Sequence, residues 1–165
     1  MIDYIVYKTH TGFTESYAKM LSKQTGIPAI SSDEAKKSLK SSSNIIFMGW
    51  IRAGQIRGLK RFRKNQNLKC VCGVGMTAPD KSLDERLVEQ NKLENHPFFY
   101  LQGGFDLDKL DGLYKIIMEA AVKAINKETD DDDKNNEALQ TMENGCNYVS
   151  MDKLTPIIKW VNANK

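Results

Sequence analysis

Cysteine is scarce in this chain, and the three residues present, Cys70, Cys72 and Cys146, show no C-x-x-C spacing. That argues against a disulfide scaffold and against a zinc site. Cys70 and Cys72 fall in the apolar run Leu68 to Val74, where they read as small buried strand residues in a reducing compartment. Long hydrophobic stretches are missing as well. Runs such as Ile45 to Met48 are far below the ~20 residues of a membrane span. The opening Met1-Ile2-Asp3-Tyr4 has neither the basic stretch nor the apolar run of a signal peptide. The expectation is a cytoplasmic protein, at most peripheral on a membrane. Histidine is limited to His10 and His96, with no evident acid partner for either, so no acid–base catalytic set is readable. A G-x-G-x-x-G sequence and a Walker lysine are both absent, which disfavours a Rossmann dinucleotide site and a P-loop.

What remains is the content of an ordinary globular domain: 165 residues, 41% of them hydrophobic and 27% charged. That is enough for one domain with a buried core. Short apolar runs alternate with amphipathic stretches. The expected strands are Tyr4 to Tyr7, Ile27 to Ile30, Asn44 to Met48, Leu68 to Val74 and Pro97 to Leu101. Pro28 puts the second at or near an edge. The expected helices are Phe13 to Gly26, Asp33 to Lys40, Ile56 to Lys64, Ser82 to Leu93, a long one opening at Asp106 or Asp108 and reaching about Ile125, and a last one from Met151 or Asp152 to Ala163. Gly26 stops the first helix and Asp33 caps the second. The polar segment from Asn126 to Glu137 contains four consecutive aspartates. It reads as a mobile loop, because it repels itself and lacks apolar anchors. A calcium loop is the sharper reading, but the Gly and terminal bidentate Glu it requires are not at EF-hand spacing.

Five strands separated by helices imply an α/β domain with a parallel sheet covered on both faces. Such sheets bind ligands beyond the carboxyl ends of their strands. The loop after the first strand is Thr9-His10-Thr11-Gly12-Phe13-Thr14. It leads into a helix N-terminus and offers hydroxyls and free backbone N–H groups, which suit a phosphate. It reads equally as a Thr-rich turn capping a helix. After the third strand come Gly49-Trp50-Ile51-Arg52-Ala53-Gly54. Trp50 there either exposes a stacking face or folds into the core. The fourth strand is followed by Gly75-Met76-Thr77-Ala78 and the fifth by Gln102-Gly103-Gly104-Phe105-Asp106. All four loops are expected at one rim.

Thr9 to Thr14 resembles the T-x-T-G-x-T phosphate loop of flavodoxins, and the next two loops resemble that family's flavin-flanking loops. Gly54-Gln55-Ile56-Arg57-Gly58-Leu59, the Gly103-Gly104-Phe105-Asp106 turn and the closing helix are similar to the branch related to menaquinone-dependent protoporphyrinogen dehydrogenase. The resemblance implies a five-stranded flavodoxin-like sheet of order 2-1-3-4-5 in a single domain, with FMN as cofactor. Thr9, His10, Thr11, Gly12, Phe13 and Thr14 would cradle its phosphate. Gly49, Trp50, Ile51, Arg52, Ala53 and Gly54 would cover one side of the ring, and Gly75, Met76, Thr77 and Ala78 would meet its other side or pyrimidine edge. The chain departs from the family in having no Tyr or Trp between Gly75 and Asp80. That departure leaves one flavin face open. His10 stands where the family has a small or polar residue and is expected to point to solvent.

The net charge of +3 is weak, but Arg52, Arg57, Lys60, Arg61, Arg63 and Lys64 cluster behind Trp50. Either they form a solvated helix face, or they ring the flavin, raise its potential and attract a carboxylate-bearing substrate, an acidic partner or an anionic membrane surface. Nucleic acid is not indicated, since Phe62 is the sole aromatic among them and no binding motif is present. The reading is thus an FMN-dependent oxidoreductase, with a quinone or a redox protein as partner and a protoporphyrinogen-like or other small acidic substrate. The alternatives are a non-catalytic electron carrier and a flavin-free phosphate-binding or regulatory module.

Overall fold

The computed structural model describes residues 1–106, 108–109, 115–116, 120 and 145–164. The long helix expected up to Ile125 and the acidic segment 126–137 fall outside them, apart from a few isolated positions. Contacts divide the chain into two compact units, Met1–Gly103 with Val149–Lys165, and Gly104–Tyr148.

The larger unit is built on β1 (Tyr4–Lys8), β2 (Ala29–Ser31), β3 (Asn44–Arg52), β5 (Asn67–Gly75) and β6 (Phe98–Gln102). They run parallel in the order β2-β1-β3-β5-β6. This is the order expected for a flavodoxin-like sheet, since β5 and β6 are its fourth and fifth parallel strands. A short extra strand, β4 (Gln55–Ile56), pairs antiparallel with the end of β3. The helices are α1 (Phe13–Thr25), α2 (Ser32–Ser38), α3 (Leu59–Asn65), α4 (Lys81–Asn91) and α5 (Thr155–Ala163), the last preceded by a 3-10 turn at Asp152–Leu154.

Strand alternation divides the core into two layers. Ile46, Met48, Cys70, Cys72 and Val74 face Tyr17, Leu21, Leu154, Ile157 and Val161 on one side. Ile45, Phe47 and Val71 face Ala35, Leu59, Phe62 and Leu93 on the other. The middle of β3, from Ile45 to Gly49, is wholly buried, as a strand covered on both faces must be. Cys70 and Cys72 are buried free thiols, as read from the sequence, and Cys146 is partly exposed. Tyr17 is fully buried and donates its hydroxyl to the Gln102 carbonyl at 2.7 Å, so that β6 and α1 are tied together. Gly26 ends α1 in the left-handed region, as expected.

Several expected boundaries move by one or more residues, three of them with a visible cause or consequence. The cap of α2 is Ser31, not Asp33: the Ser31 hydroxyl accepts from Glu34 N–H while the Glu34 carboxylate accepts from Ser31 N–H. This reciprocal pair satisfies two donors at once. β3 does not stop at Met48 but continues to Arg52. The basic helix begins at Leu59 rather than Ile56, because Ile56 is held in β4.

In the smaller unit, β7 (Gly104–Phe105) pairs antiparallel with β8 (Cys146–Asn147). Among the described residues, no helix is long and apolar enough to cross a membrane.

Candidate functional site

The loop after β1 turns on Gly12, whose φ of 93° is left-handed and opens α1. Its N–H donates to Thr9 Oγ1 at 3.0 Å, closing the loop on itself. A Cβ placed on Gly12 would meet nothing within 4 Å. The backbone there is therefore open to an approaching group. Of the three threonines, Thr14 is buried while Thr9 and Thr11 are half-buried at the surface. His10 does not project into solvent. Its ring stacks on Trp50, with centroids 4.9 Å apart and planes inclined by 17°. The first loop and the end of β3 are thus already in contact.

The stretch expected as a loop from Gly49 to Gly54 is instead a β-hairpin. Gly49 and Trp50 pair with Gly73 and Val74 of β5, while Ile51 and Arg52 pair with Ile56 and Gln55 of β4. Gly49 serves close approach rather than a turn: a Cβ there would lie 2.6 Å from Ile56 Cγ2 and 2.8 Å from the Arg57 carbonyl. The turn itself is Ala53-Gly54, at φ 48° and 74°. Two successive positive φ values are what a tight hairpin of primed type demands.

The last turn of α4 fastens this hairpin. Asn91 is buried at 6% exposure. Its Oδ1 accepts from Ile56 N–H at 2.8 Å, and its Nδ2 donates to the Gly54 carbonyl at 2.8 Å and to the Leu87 carbonyl at 2.9 Å. Gln55 Nε2 adds a bond to the Gln90 carbonyl at 3.1 Å. Arg63 donates from α3 to the Asn91 carbonyl.

The loop after β5 is held from β6. Tyr100 donates its hydroxyl to the Thr77 carbonyl at 2.6 Å, and Gln102 Nε2 donates to the Met76 carbonyl at 3.2 Å. A Cβ on Gly75 would sit 2.9 Å from the Tyr100 hydroxyl, so glycine makes room for that ring. Burial, and then the nearby Asp84 carboxylate, push the Tyr100 phenol up to about 12. Met76, 44% exposed, is the largest side chain between Gly75 and Asp80.

Between hairpin and loop lies a cavity of about 350 Å³. Ile51, Ala53 and Gly54 form one wall, Gly75, Met76 and Thr77 the opposite one, and Tyr100 with α4 closes the rest. That volume lies in the range of small-molecule sites. Arg86 is the cation on its wall. The structure therefore brings together the expected second and third loops, and the His10–Trp50 stack joins the first to them. Ala78 is exposed on the same loop but does not line the cavity. Tyr100, Gln90 and Asn91 were not found by reading loops, because they reach the site from β6 and α4.

The basic cluster is elsewhere. Arg57, Lys60, Arg61 and Arg63 line a second cavity of about 610 Å³, with Lys92, Gln90 and Asn91. No residue of the three loops lines it. Among the described residues, no group of three or more His, Cys, Asp or Glu is placed to hold a metal ion.

Compared with known protein families, the chain matches the flavodoxin domain over residues 4–136. Neither the curated proteins nor the solved structures yield a match.

Proposed function

Because the chain belongs to the flavodoxin-domain family, we propose that it binds FMN at the carboxyl edge of its sheet and carries electrons through it. The observation that carries this reading is the roughly 350 Å³ cavity between the Ala53-Gly54 hairpin and the Met76-Thr77 loop. The first loop, open at the Gly12 backbone, reaches the hairpin through the His10–Trp50 stack. The donor set suits the group: backbone N–H groups and threonine hydroxyls for a phosphate, walls of mixed apolar and polar side chains for a flat heterocycle with polar edges. Thr9, Thr11 and Gly12 would hold the phosphate. Trp50 and the hairpin would cover one side of the ring, with Met76 and Thr77 at the other. Bound FMN supplies the hydride and electron chemistry. The chain's part is to bind, orient and shield. Asn91 fixes the hairpin wall, Tyr100 fixes the opposite loop, and Ile51, Leu83 and Leu87 supply apolar surface beside the polar Thr77, Arg86 and Gln90.

The test is titration with FMN, followed by the visible spectrum and by quenching of flavin fluorescence. Saturable binding, lost in Gly12→Asp, supports the reading. The substituted carboxylate would repel a phosphate, while Gly12→Ala, equally strained at φ 93° but uncharged, separates that repulsion from distortion of the loop. No binding at micromolar protein and FMN overturns it.

A finer reading is an FMN-dependent oxidoreductase using a quinone or a redox protein, acting on a protoporphyrinogen-like or other small substrate. It is favoured by the loop from Gly75 to Asp80, which carries no aromatic and exposes Met76. A flavin ring there would meet a flexible thioether instead of a stacked indole or phenol, leaving room for a second molecule. Turnover of small quinones by the isolated flavoprotein supports an enzyme. Reduction and reoxidation only through partner proteins supports a carrier.

A further inference from the structure

We propose that the roughly 610 Å³ cavity between α3 and the end of α4 is a binding site for a small multivalent anion, a polycarboxylate or a phosphate ester. Arg57, Lys60, Arg61, Arg63 and Lys92 all line it, and no carboxylate does. None of the five makes an ion pair among the described residues. Five like charges on one concave wall repel each other and concentrate anions from solution. Arg63 adds a second feature. Its guanidinium donates to the Asn91 carbonyl, while its Nε is buried without a partner. The bond to Asn91 holds the Arg63 guanidinium on the cavity wall. Gln55 and Gln90 supply further amide groups on the wall. The concave shape and the volume suit a molecule of small-ligand size. An acidic protein surface would need a broad convex or flat partner face instead.

The site is separate from the one assigned to FMN and does not depend on it. The hairpin divides them: Ala53 and Gly54 line one cavity, Gln55 and Ile56 the other, and Gln90 touches both. A bound anion would sit across that wall from the flavin.

Citrate is the first probe, because it carries no phosphate. It is titrated at low ionic strength by calorimetry and by amide chemical shifts, with and without excess FMN. The expected result is saturable binding, with shifts at residues 55–61 and 90–92, that persists when FMN is present. The triple variant Arg57→Gln/Lys60→Gln/Arg61→Gln, all at exposed positions, should weaken it roughly tenfold or more. The single variant Arg61→Gln gives a smaller loss should the triple variant fold poorly. Pyrophosphate in place of citrate tells phosphate from carboxylate preference. Acetate, carrying one charge, should compete weakly. No saturable binding of citrate or pyrophosphate at millimolar concentration overturns the proposal. So do shifts confined to residues 9–14, or affinity unchanged in both variants. A chain that fails to bind FMN yet binds citrate at residues 55–61 leaves this site standing and removes only the flavin reading.

Discussion

Replacing Asn91 by alanine tests whether the hairpin is held by α4 or by its own turn. The side chain makes three hydrogen bonds, at 2.8, 2.8 and 2.9 Å. The Leu87 carbonyl lies inside α4, where the helix ladder serves it, so that loss is mild. The other two partners have no substitute within the protein. Ile56 N–H is buried, with its residue 4% exposed, and the Gly54 carbonyl is half-buried. An unsatisfied buried group costs about 1–3 kcal/mol; the half-buried Gly54 carbonyl recovers part of its loss from water, so the pair comes to about 2–4 kcal/mol of lost stability. With a urea slope of about 2 kcal/mol per molar, the unfolding midpoint should fall by roughly 1–2 M. Asn91→Asp keeps the acceptor for Ile56 but turns an oxygen toward the two carbonyls, so it should cost at least as much. Two measurements check this: urea unfolding, and hydrogen exchange at the Ile56 amide, whose protection should drop in Asn91→Ala. A midpoint within about 0.3 M of the parent with unchanged Ile56 protection would refute the argument, and the hairpin would then be self-supporting.

Tyr100→Phe removes the 2.6 Å bond to Thr77 and should loosen the loop, weakening FMN several-fold by titration at neutral pH while costing about 1 kcal/mol of stability. The same residue predicts alkaline behaviour. Burial first, and Asp84 second, raise its phenol from 10.0 to about 12. Between those values the unfolded chain loses the proton first, so stability falls as pH climbs from 10 toward 12. Urea midpoints at pH 9 and pH 11 should differ less in Tyr100→Phe than in the parent. Gly49→Ala forces a Cβ within 2.8 Å of the Arg57 carbonyl, and should cost about 2–4 kcal/mol by urea unfolding; a change under about 0.5 kcal/mol would show that β3 and β4 can spread.

The five parallel strands and the first helix were legible because each follows a simple signal: a short apolar run, or a stripe closed by Gly26. The loop from Thr9 to Thr14 was legible as a place, being the polar link between strand and helix. The hairpin was not. Gly49 reads as a breaker, yet it sits inside β3 because the backbone of Arg57 passes too close for any side chain. The turn falls instead on Ala53, a residue that seldom marks positive φ. The cap at Ser31 is readable as Ser-x-x-Glu, but Ser31 is also the last residue of the strand Ala29–Ser31, so strand and helix meet with no intervening loop to mark the boundary. Tyr100 was hidden for another reason. It reaches the site only because β5 and β6 align Gly73 with Tyr100, and such pairing is not written in local sequence. The basic cluster was visible as charge, but its placement was set by the hairpin, since Arg57 and Lys60 line the cavity with Gln55 and Ile56 and not the one with Ala53 and Gly54.

The cysteines have a practical consequence. Cys70 and Cys72 lie at the centre of the sheet with no exposed surface. Burial, reinforced by the neighbouring Cys70, pushes the Cys72 thiol well up, and a protonated, enclosed thiol does not react with alkylating reagents. Cys146, partly exposed on β8, is left as a natural attachment point. A maleimide dye or nitroxide added to the native chain should go on at one stoichiometric position. The smaller unit could then be tracked spectroscopically without engineering a single residue.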